Sequence, residues 1–318
     1  MSGTASGIDS QLGFAAETTY GAYETVDHFL EYTSESLKFE RERIESKGIR
    51  TGRRVLHRWT PGIQRVTGNI NFEFGPQGSG LLLEHMFGGL ATTGVSDPYT
   101  HTFTPGTLDD KSLTIQIGRP DIGGTVRPFS YYGCVITDFE FSAAINEYLM
   151  LDLSVYGAHE ATSDALETAS YPAGYSPFVF TQGVIAIASS EYLVTSANLA
   201  GKNSQKVDRH FMQGTNPERP NIALESGMRE FTGQLTSDFI DLTAYNRFKN
   251  GAEAALTLTF TQSATRTLTF TMNVRYDGDT PNISGIEIPE LTLPYKAVSA
   301  TSDAAAVTAV LLNADATL

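Results

Sequence analysis

One stretch of the chain occurs twice, and it constrains the fold more than any other feature. Residues 66–89 read VTGNINFEFGPQGSGLLLEHMFGG, and residues 231–251 read FTGQLTSDFIDLTAYNRFKNG. Thr67-Gly68 aligns with Thr232-Gly233, Ile70 with Leu235, Glu73 with Asp238 and Phe74 with Phe239, without a gap. After a four-residue difference, Leu81 meets Leu242 and Phe87 meets Phe248. Each copy reads as a strand that runs into a short helix. Val66, Gly68, Ile70, Phe72 and Phe74 alternate onto one strand face. Leu82, Leu83 and Met86 in one helix, and Leu242, Tyr245 and Phe248 in the other, recur at helical spacing. Asp241 is placed to cap the second helix, and Gly88-Gly89 and Gly251 stand where the helices stop. A repeat separated by about half the chain predicts two tandem copies of one domain.

The rest of the chain divides around these copies. Residues 1–27 are small, polar and acidic, with neither a basic nor an apolar signal region, and read as an N-terminal arm that orders only against a neighbour. The first domain spans 28–160, with the arm at 1–27 as part of it, the linker 161–177 and the second domain 178–318. Residues 28–38 suggest a first strand, and 90–111 a polar insertion with two prolines. SLTIQIG at 112–118 matches ALTLTFT at 255–261. Residues 129–157 give two strands around a turn near Ala144 to Glu147. Further strands are expected in 179–189, 191–201, 267–276 and 286–296. Residues 304–313 supply a closing strand in the place held earlier by 149–157, with an alanine-rich helix as the alternative. The fold class is α+β, mainly β: each domain is a sandwich or partly open barrel with one flanking short helix and one long charged loop.

Charge is distributed unevenly. The net charge is −14, yet residues 38–65 hold nine cations (Lys38, Arg41, Arg43, Lys47, Arg50, Arg53, Arg54, Arg58 and Arg65) against Glu40, Glu42 and Glu45. That segment is about +6, so the remainder is about −20. Gly48, Gly52 and Pro61-Gly62 make it a long excursion between strands. The second domain has a loop of its own at 202–229, with Lys202, Lys206, Arg209, Arg219 and Arg229. A basic loop on an acidic body is complementary to another copy of the same protein, and head-to-tail contact of that kind grows into a filament. Net acidity opposes nucleic-acid binding, and only Trp59 and Phe39 offer stacking in the basic segment. No apolar run approaches the ~18 residues of a membrane span.

No catalytic or cofactor constellation emerges. His28, His57, His85, His101, His159 and His210 show no metal-ligand spacing, and His85 reads as a partly exposed helix residue. GPQGSG at 75–80 lacks the ending of a phosphate loop and reads as a turn into the helix. Asp277, Asp279 and Asn282 lack the closing acid of a calcium loop and suit a hairpin turn, and the Asn282-Ile-Ser284 sequon has no signal peptide behind it. Cys134 alone builds no disulfide framework and reads as a small buried hydrophobe. Tyr131-Tyr132, Tyr171 and Tyr175 are the aromatic candidates for a carbohydrate- or cell-surface-binding module.

The opening SGIDSQLGFAAETTYGAYETVDHFLEYTSESLKFERERIESKGIRTGRRV resembles the start of the major tail tube proteins of long-tailed, non-contractile bacteriophages. PGIQRVTGNINFEF, GLLLEHMFGG and KSLTIQIGRPDIGGTVRPFSYYGCVITDFEFSAAINEYLMLDLSVYG resemble that family too, and the likeness is strongest over residues 3–160. The resemblance implies a structural, non-enzymatic virion protein made in the host bacterial cytoplasm, with two tail-tube-like domains. It implies self-assembly into stacked rings, here trimeric and pseudo-hexameric, whose inner strands line a lumen. It names as partners a tape-measure protein in the lumen, tail terminator and distal tail proteins, and DNA in transit without specific binding; it implies no membrane insertion. Carried onto this sequence, contacts between rings or subunits fall on Arg41, Arg43, Lys47, Arg50, Arg53 and Arg54, and on Lys202, Lys206, Arg209 and Arg219 in the second copy. The lumen-facing strands are expected to carry more Asp and Glu than Lys and Arg. A terminator, distal tail or decoration subunit is the alternative among phage structural proteins.

Overall fold

The Thr-Gly step common to both repeats sits where each long strand is approached most closely by its neighbour. A Cβ at Gly68 would lie 2.4 Å from the carbonyl oxygen of Ser36, and one at Gly233 would lie 2.2 Å from that of Asn198. Only a residue without a side chain permits so close an approach. These contacts come from a computed structural model, which describes residues 6–318 apart from 213, 241, 279, 281–285, 287 and 302–304.

The first half contains β1 (Gln11–Ala16), β2 (His28–Phe29), β3 (Ser34–Glu35), β4 (Lys38–Glu45), β5 (Trp59–Glu73), α1 (Gly80–Phe87), β6 (Gly88–Thr93), β7 (Tyr99–Pro105), β8 (Leu113–Pro120), β9 (Val126–Ala144), β10 (Met150–Gly157) and β11 (His159–Ala161). The second contains β12 (Gly183–Ile187), β13 (Ser190–Glu191), β14 (Ser196–Lys202), β15 (Gln205–Lys206), β16 (Leu224–Glu225), β17 (Glu230–Asp238), α2 (Leu242–Asn250), β18 (Ala254–Ser263), β19 (Arg266–Tyr276), β20 (Glu290–Ala297) and β21 (Val307–Asn313).

One order of antiparallel pairing appears in both halves. It runs β1-β8-β9-β10-β5-β4 in the first. It runs β12-β18-β19-β20-β17-β14 in the second. The likeness reaches single hydrogen bonds. Thr33 N donates to Asn71 O and Thr195 N to Thr236 O, both at 2.8 Å. Asn69 N donates to Ser36 Oγ at 2.8 Å, and Gln234 N to Asn198 Oδ1 at 2.6 Å. The halves are joined directly, because residues 138–144 of β9 pair with β14, and β7 pairs with β21. A single apolar core crosses the junction. Phe87 stacks on Phe231 with ring centroids 5.8 Å apart, and Phe141 meets Phe270 at 4.9 Å.

Several expectations need correction. Residues of the arm do not wait for a neighbour: β1 pairs with the chain's own β8, and Leu12 and Phe14 are buried. The strand expected over 28–38 is reduced to the short β2 and β3. The basic excursion is a long β4–β5 hairpin, stepping over Pro61 by a register shift between Arg41 and Arg43. The insertion at 90–111 is the β6–β7 hairpin, and its polar alternation is that of a strand with Phe103 turned inward. The tail does form a strand, but β21 lies against β19 and β7; the place beside β17 that corresponds to β10 belongs to β20. Residue 304 at its start, and Asp241 proposed as a helix cap, lie outside the described residues. Among the described residues the sheets do not close into a barrel.

The two helices differ in cover. α1 is buried along nearly its whole length, whereas only Ala244 of α2 is buried. Tyr245 and Phe248 are half-buried, and Leu242 is 58% exposed, so the expected apolar stripe of α2 is only partly packed. His85 is buried rather than partly exposed, its Nδ1 3.0 Å from the carbonyl oxygen of Leu81.

Candidate functional site

Strand alternation gives the sheet β4-β5-β10-β9-β14-β17-β20 two unlike faces. One carries Val66, Ile70, Phe72, Leu151, Leu153, Phe139, Phe141, Leu199, Leu235 and Leu293, all buried in the core. The other is polar and runs without a break across both halves. Register places Asn71 opposite Asp152, Asp152 opposite Glu140, Glu140 opposite Ala200 and Ala200 opposite Thr232. It continues with Thr232 opposite Lys296 and Asp238 opposite Glu290. From β5 to β20 this face presents Glu73, Asp138, Glu140, Asp152, Glu230, Asp238 and Glu290, against Arg65, Lys202 and Lys296.

The centre of the face is a groove lined by Asn69, Asp138, Glu140, Asp152, Lys202 and Glu230. Asn198 Nδ2 donates to Glu140 Oε1 at 2.7 Å, and Asn69 Nδ2 to Asp152 Oδ1 at 3.2 Å. Lys296 Nζ pairs with Glu230 Oε1 at 2.7 Å, which holds the Glu230 carboxyl below its usual range. Partial burial, helped by the charge of Glu140, pushes the Asp152 carboxyl above its usual range, and the Asn69 bond offsets this. The pattern is a field of like charge in which amides, more than cations, satisfy the carboxylates. Such a surface repels a polyanion and supplies few cations to displace its counterions.

The cations named from the sequence fall into two groups. Arg41, Arg43, Lys47, Arg50, Arg53 and Arg54 lie on the β4–β5 hairpin and its turn, and only Arg53 is not fully exposed. Arg43 lies 5.6 Å from the centre of the Trp59 ring. Ile44, Ile49, Val55, Leu56 and Trp59 are exposed beside them. Lys202 and Lys206 are also exposed, but Arg209 and Arg219 are half-buried. Arg209 donates to Ile222 O at 2.7 Å within its own loop. Among the described residues none of these ten makes an ion pair.

The second loop folds back on the first half. Glu218 O accepts from Gln64 N at 2.7 Å, Glu225 Oε1 accepts from Leu108 N at 3.0 Å, and Asn203 Nδ2 donates to Ile136 O at 2.8 Å. No charge count could have shown this, because the bonds are to main chain. Tyr131 and Tyr132 are buried, which removes the aromatic pair from any exposed carbohydrate site. Asp279, Asn282 and Ser284 lie outside the described residues. Among the described residues no helix is long and apolar enough to cross a membrane.

The sequence profile of the family described as phage tail tube protein matches residues 7–297. No curated protein matches the chain.

Proposed function

The chain belongs to the phage tail tube protein family, and from that premise we propose that it closes into trimeric rings of six similar units, which stack into the tube of a long-tailed, non-contractile phage. The observation that carries this reading is the continuous sheet that crosses both halves with one face in the core and one face polar and acidic. Two tandem domains, 28–160 and 178–318 joined by 161–177 and preceded by the arm at 1–27, give each chain two wall segments, so three chains give a pseudo-six-fold ring.

The mechanism is passive. Strand pairing between subunits consumes sheet edges, and the acidic face turns toward the lumen, where the tape-measure protein sits and DNA later passes without adhering. The exposed β4–β5 turn, with Lys47, Arg50, Arg53 and Arg54, reaches the acidic body of the adjacent ring, and Arg41 and Arg43 flank it on β4. Lys206 supplies a smaller cationic contact, while Lys202 lies on the acidic sheet face and Arg209 steadies the second loop. Terminator and distal tail proteins cap the ends of the tube, which is assembled in the host cytoplasm. Negative-stain electron microscopy across a concentration and salt series tests this. Hollow tubes or stacked three-fold rings are expected; dispersed particles at every condition would overturn it.

A further inference from the structure

We propose that the outer edge of residues 34–40 is the docking edge for a second copy of this chain, and that the Glu35–Arg119 ion pair occupies that edge until the copy arrives. The proposal rests on the self-assembly reading above and deepens it by naming the edge.

The chain contains its own template for the contact. Ser34 lies opposite Asn71 and Lys38 opposite Thr67, as Ser196 lies opposite Thr236 and Ala200 opposite Thr232. Residues 34–40 therefore correspond one by one to Ser196–Lys202, and Leu37 corresponds to Leu199. The far edge of Ser196–Lys202 is taken by β9, with Leu199 opposite Phe141. Among the described residues no strand pairs with the far edge of 34–40.

Side chains fill that vacant place. Leu37 N donates to Glu35 Oε2 at 2.9 Å, and Leu37 O accepts from Arg119 Nη2 at 2.9 Å. Arg119 also holds Glu35 through Nη2 at 2.9 Å and Nε at 3.1 Å, donates to the Tyr131 hydroxyl at 2.7 Å and lies 4.6 Å from the Phe129 ring centre. Glu35 thus provides the acceptor, and Arg119, with the Tyr131 hydroxyl 3.3 Å from Leu37 O, the donor that a paired strand would provide. The Leu37 side chain is buried, so bare main-chain groups there would be costly and open to indiscriminate pairing.

The complementary side lies in the second half. Inside the chain, the face of the first half that carries the end of β9 and α1 is covered by Phe231, Arg229 and Leu318 of the second half. In the second half the β9–β10 and β19–β20 registers put the counterpart of residues 138–144 beyond Tyr276, mostly outside the described residues, and α2 beside it leaves Ile240 57% and Leu242 58% exposed. The uncovered face and the unpaired edge lie on opposite sides of the chain's repeat, which is the arrangement of a head-to-tail contact between identical copies. On docking, the neighbour's main-chain N–H and C=O replace the two side chains at Leu37.

Hydrogen exchange measured by mass spectrometry on free and assembled protein tests the edge, and the assembly threshold of Arg119→Ala tests the guard. Exchange across 34–40 is expected to slow at least about tenfold on assembly. Loss of a competing, partly exposed ion pair should lower the threshold concentration about two- to fivefold. Tubes in which 34–40 exchanges as in the free chain would overturn the docking edge while leaving the tube reading intact. An Arg119→Ala threshold equal to or above wild type would overturn the guard. Should that variant fail to fold, Glu35→Gln carries the same threshold comparison, and the wild-type exchange result decides the edge alone. A wild type that never assembles overturns the tube reading and this proposal together.

Discussion

Arg229 closes the end of the helix that stops at Phe87: its Nη1 donates to the Phe87 carbonyl oxygen at 2.7 Å. The same guanidinium reaches Met86 O, Gly106 O and Asn203 Oδ1. None of these partners is a carboxylate, and burial pulls the Arg229 pKa down to about 10. A cation from the second half is therefore held by the carbonyl end of a helix in the first, where the helix dipole favours it. Arg229→Ala leaves several buried acceptors without donors and should cost about 2–4 kcal/mol. Urea unfolding of the unassembled chain reads this directly, and a loss below about 1 kcal/mol would show that water replaces the guanidinium freely.

The paired glycines separate two kinds of constraint. Gly233→Ala drives a methyl into Asn198 O, and Gly68→Ala drives one into Ser36 O, so both should destabilise by roughly 2–3 kcal/mol or more through backbone displacement. Gly251 has φ +63° with nothing within 4 Å of its added Cβ. Gly251→Ala should cost only about 1 kcal/mol, from conformation alone. Thermal melts of the three variants in one buffer compare them, and equal losses would refute the steric account.

Sequence patterning revealed the elements whose partners are local or whose apolar period is clear. The strand–helix repeat, β8, the β9–β10 hairpin and β18 all stand where alternation places them. β4 was obscure because nearly all of its side chains are exposed, so a charged strand and a charged loop look alike. β7 was obscure because its second partner is β21, far away in sequence. The acidic face was legible as a surplus of Asp and Glu, but its continuity depends on the β9–β14 register, which alternation alone does not fix. The role of Arg119 was hidden for a similar reason: its carboxylate lies 84 residues away.

His85 links acidity to stability. Burial holds its pKa below the ordinary histidine value, so it is neutral in the folded chain at pH 7. The unfolded chain takes up the proton as pH falls through about 6.5, while the folded chain resists it. Stability should therefore decline below about pH 6.5 until the depressed folded pKa is passed. His85→Gln should flatten part of that decline. His159, whose pKa burial also lowers, supplies a remaining slope. Melting temperatures from pH 7.5 to 5 for both proteins check this, and superimposable slopes would exclude His85.

The acidic face predicts how DNA behaves in a tube. Asp138→Lys with Glu140→Lys changes the face by +4 per chain and by +12 in the proposed three-chain ring, and places cations in its central groove. Variant tubes should retain DNA at low salt and release it as salt rises, because binding then depends on counterion release. Wild-type tubes should pass DNA at both salt levels. Retention of DNA by wild-type tubes would place a different face toward the lumen.

The β4–β5 turn predicts a defect confined to stacking. Arg53 and Arg54 make no ion pair among the described residues, and the chain outside 38–65 carries about −20. Arg53→Glu with Arg54→Glu should leave the melting temperature of the free subunit within about a degree or two, since turn residues outside the core and without ion-pair partners contribute little to folding. The same double change replaces attraction between rings by repulsion, so tubes should become short or give way to single rings, most strongly at low salt, where screening is weakest. Raising the salt should narrow the gap from wild type by weakening both attraction and repulsion. Tubes of normal length from the double variant would assign ring stacking to the exposed apolar residues Ile49, Val55 and Leu56 instead of to the cations.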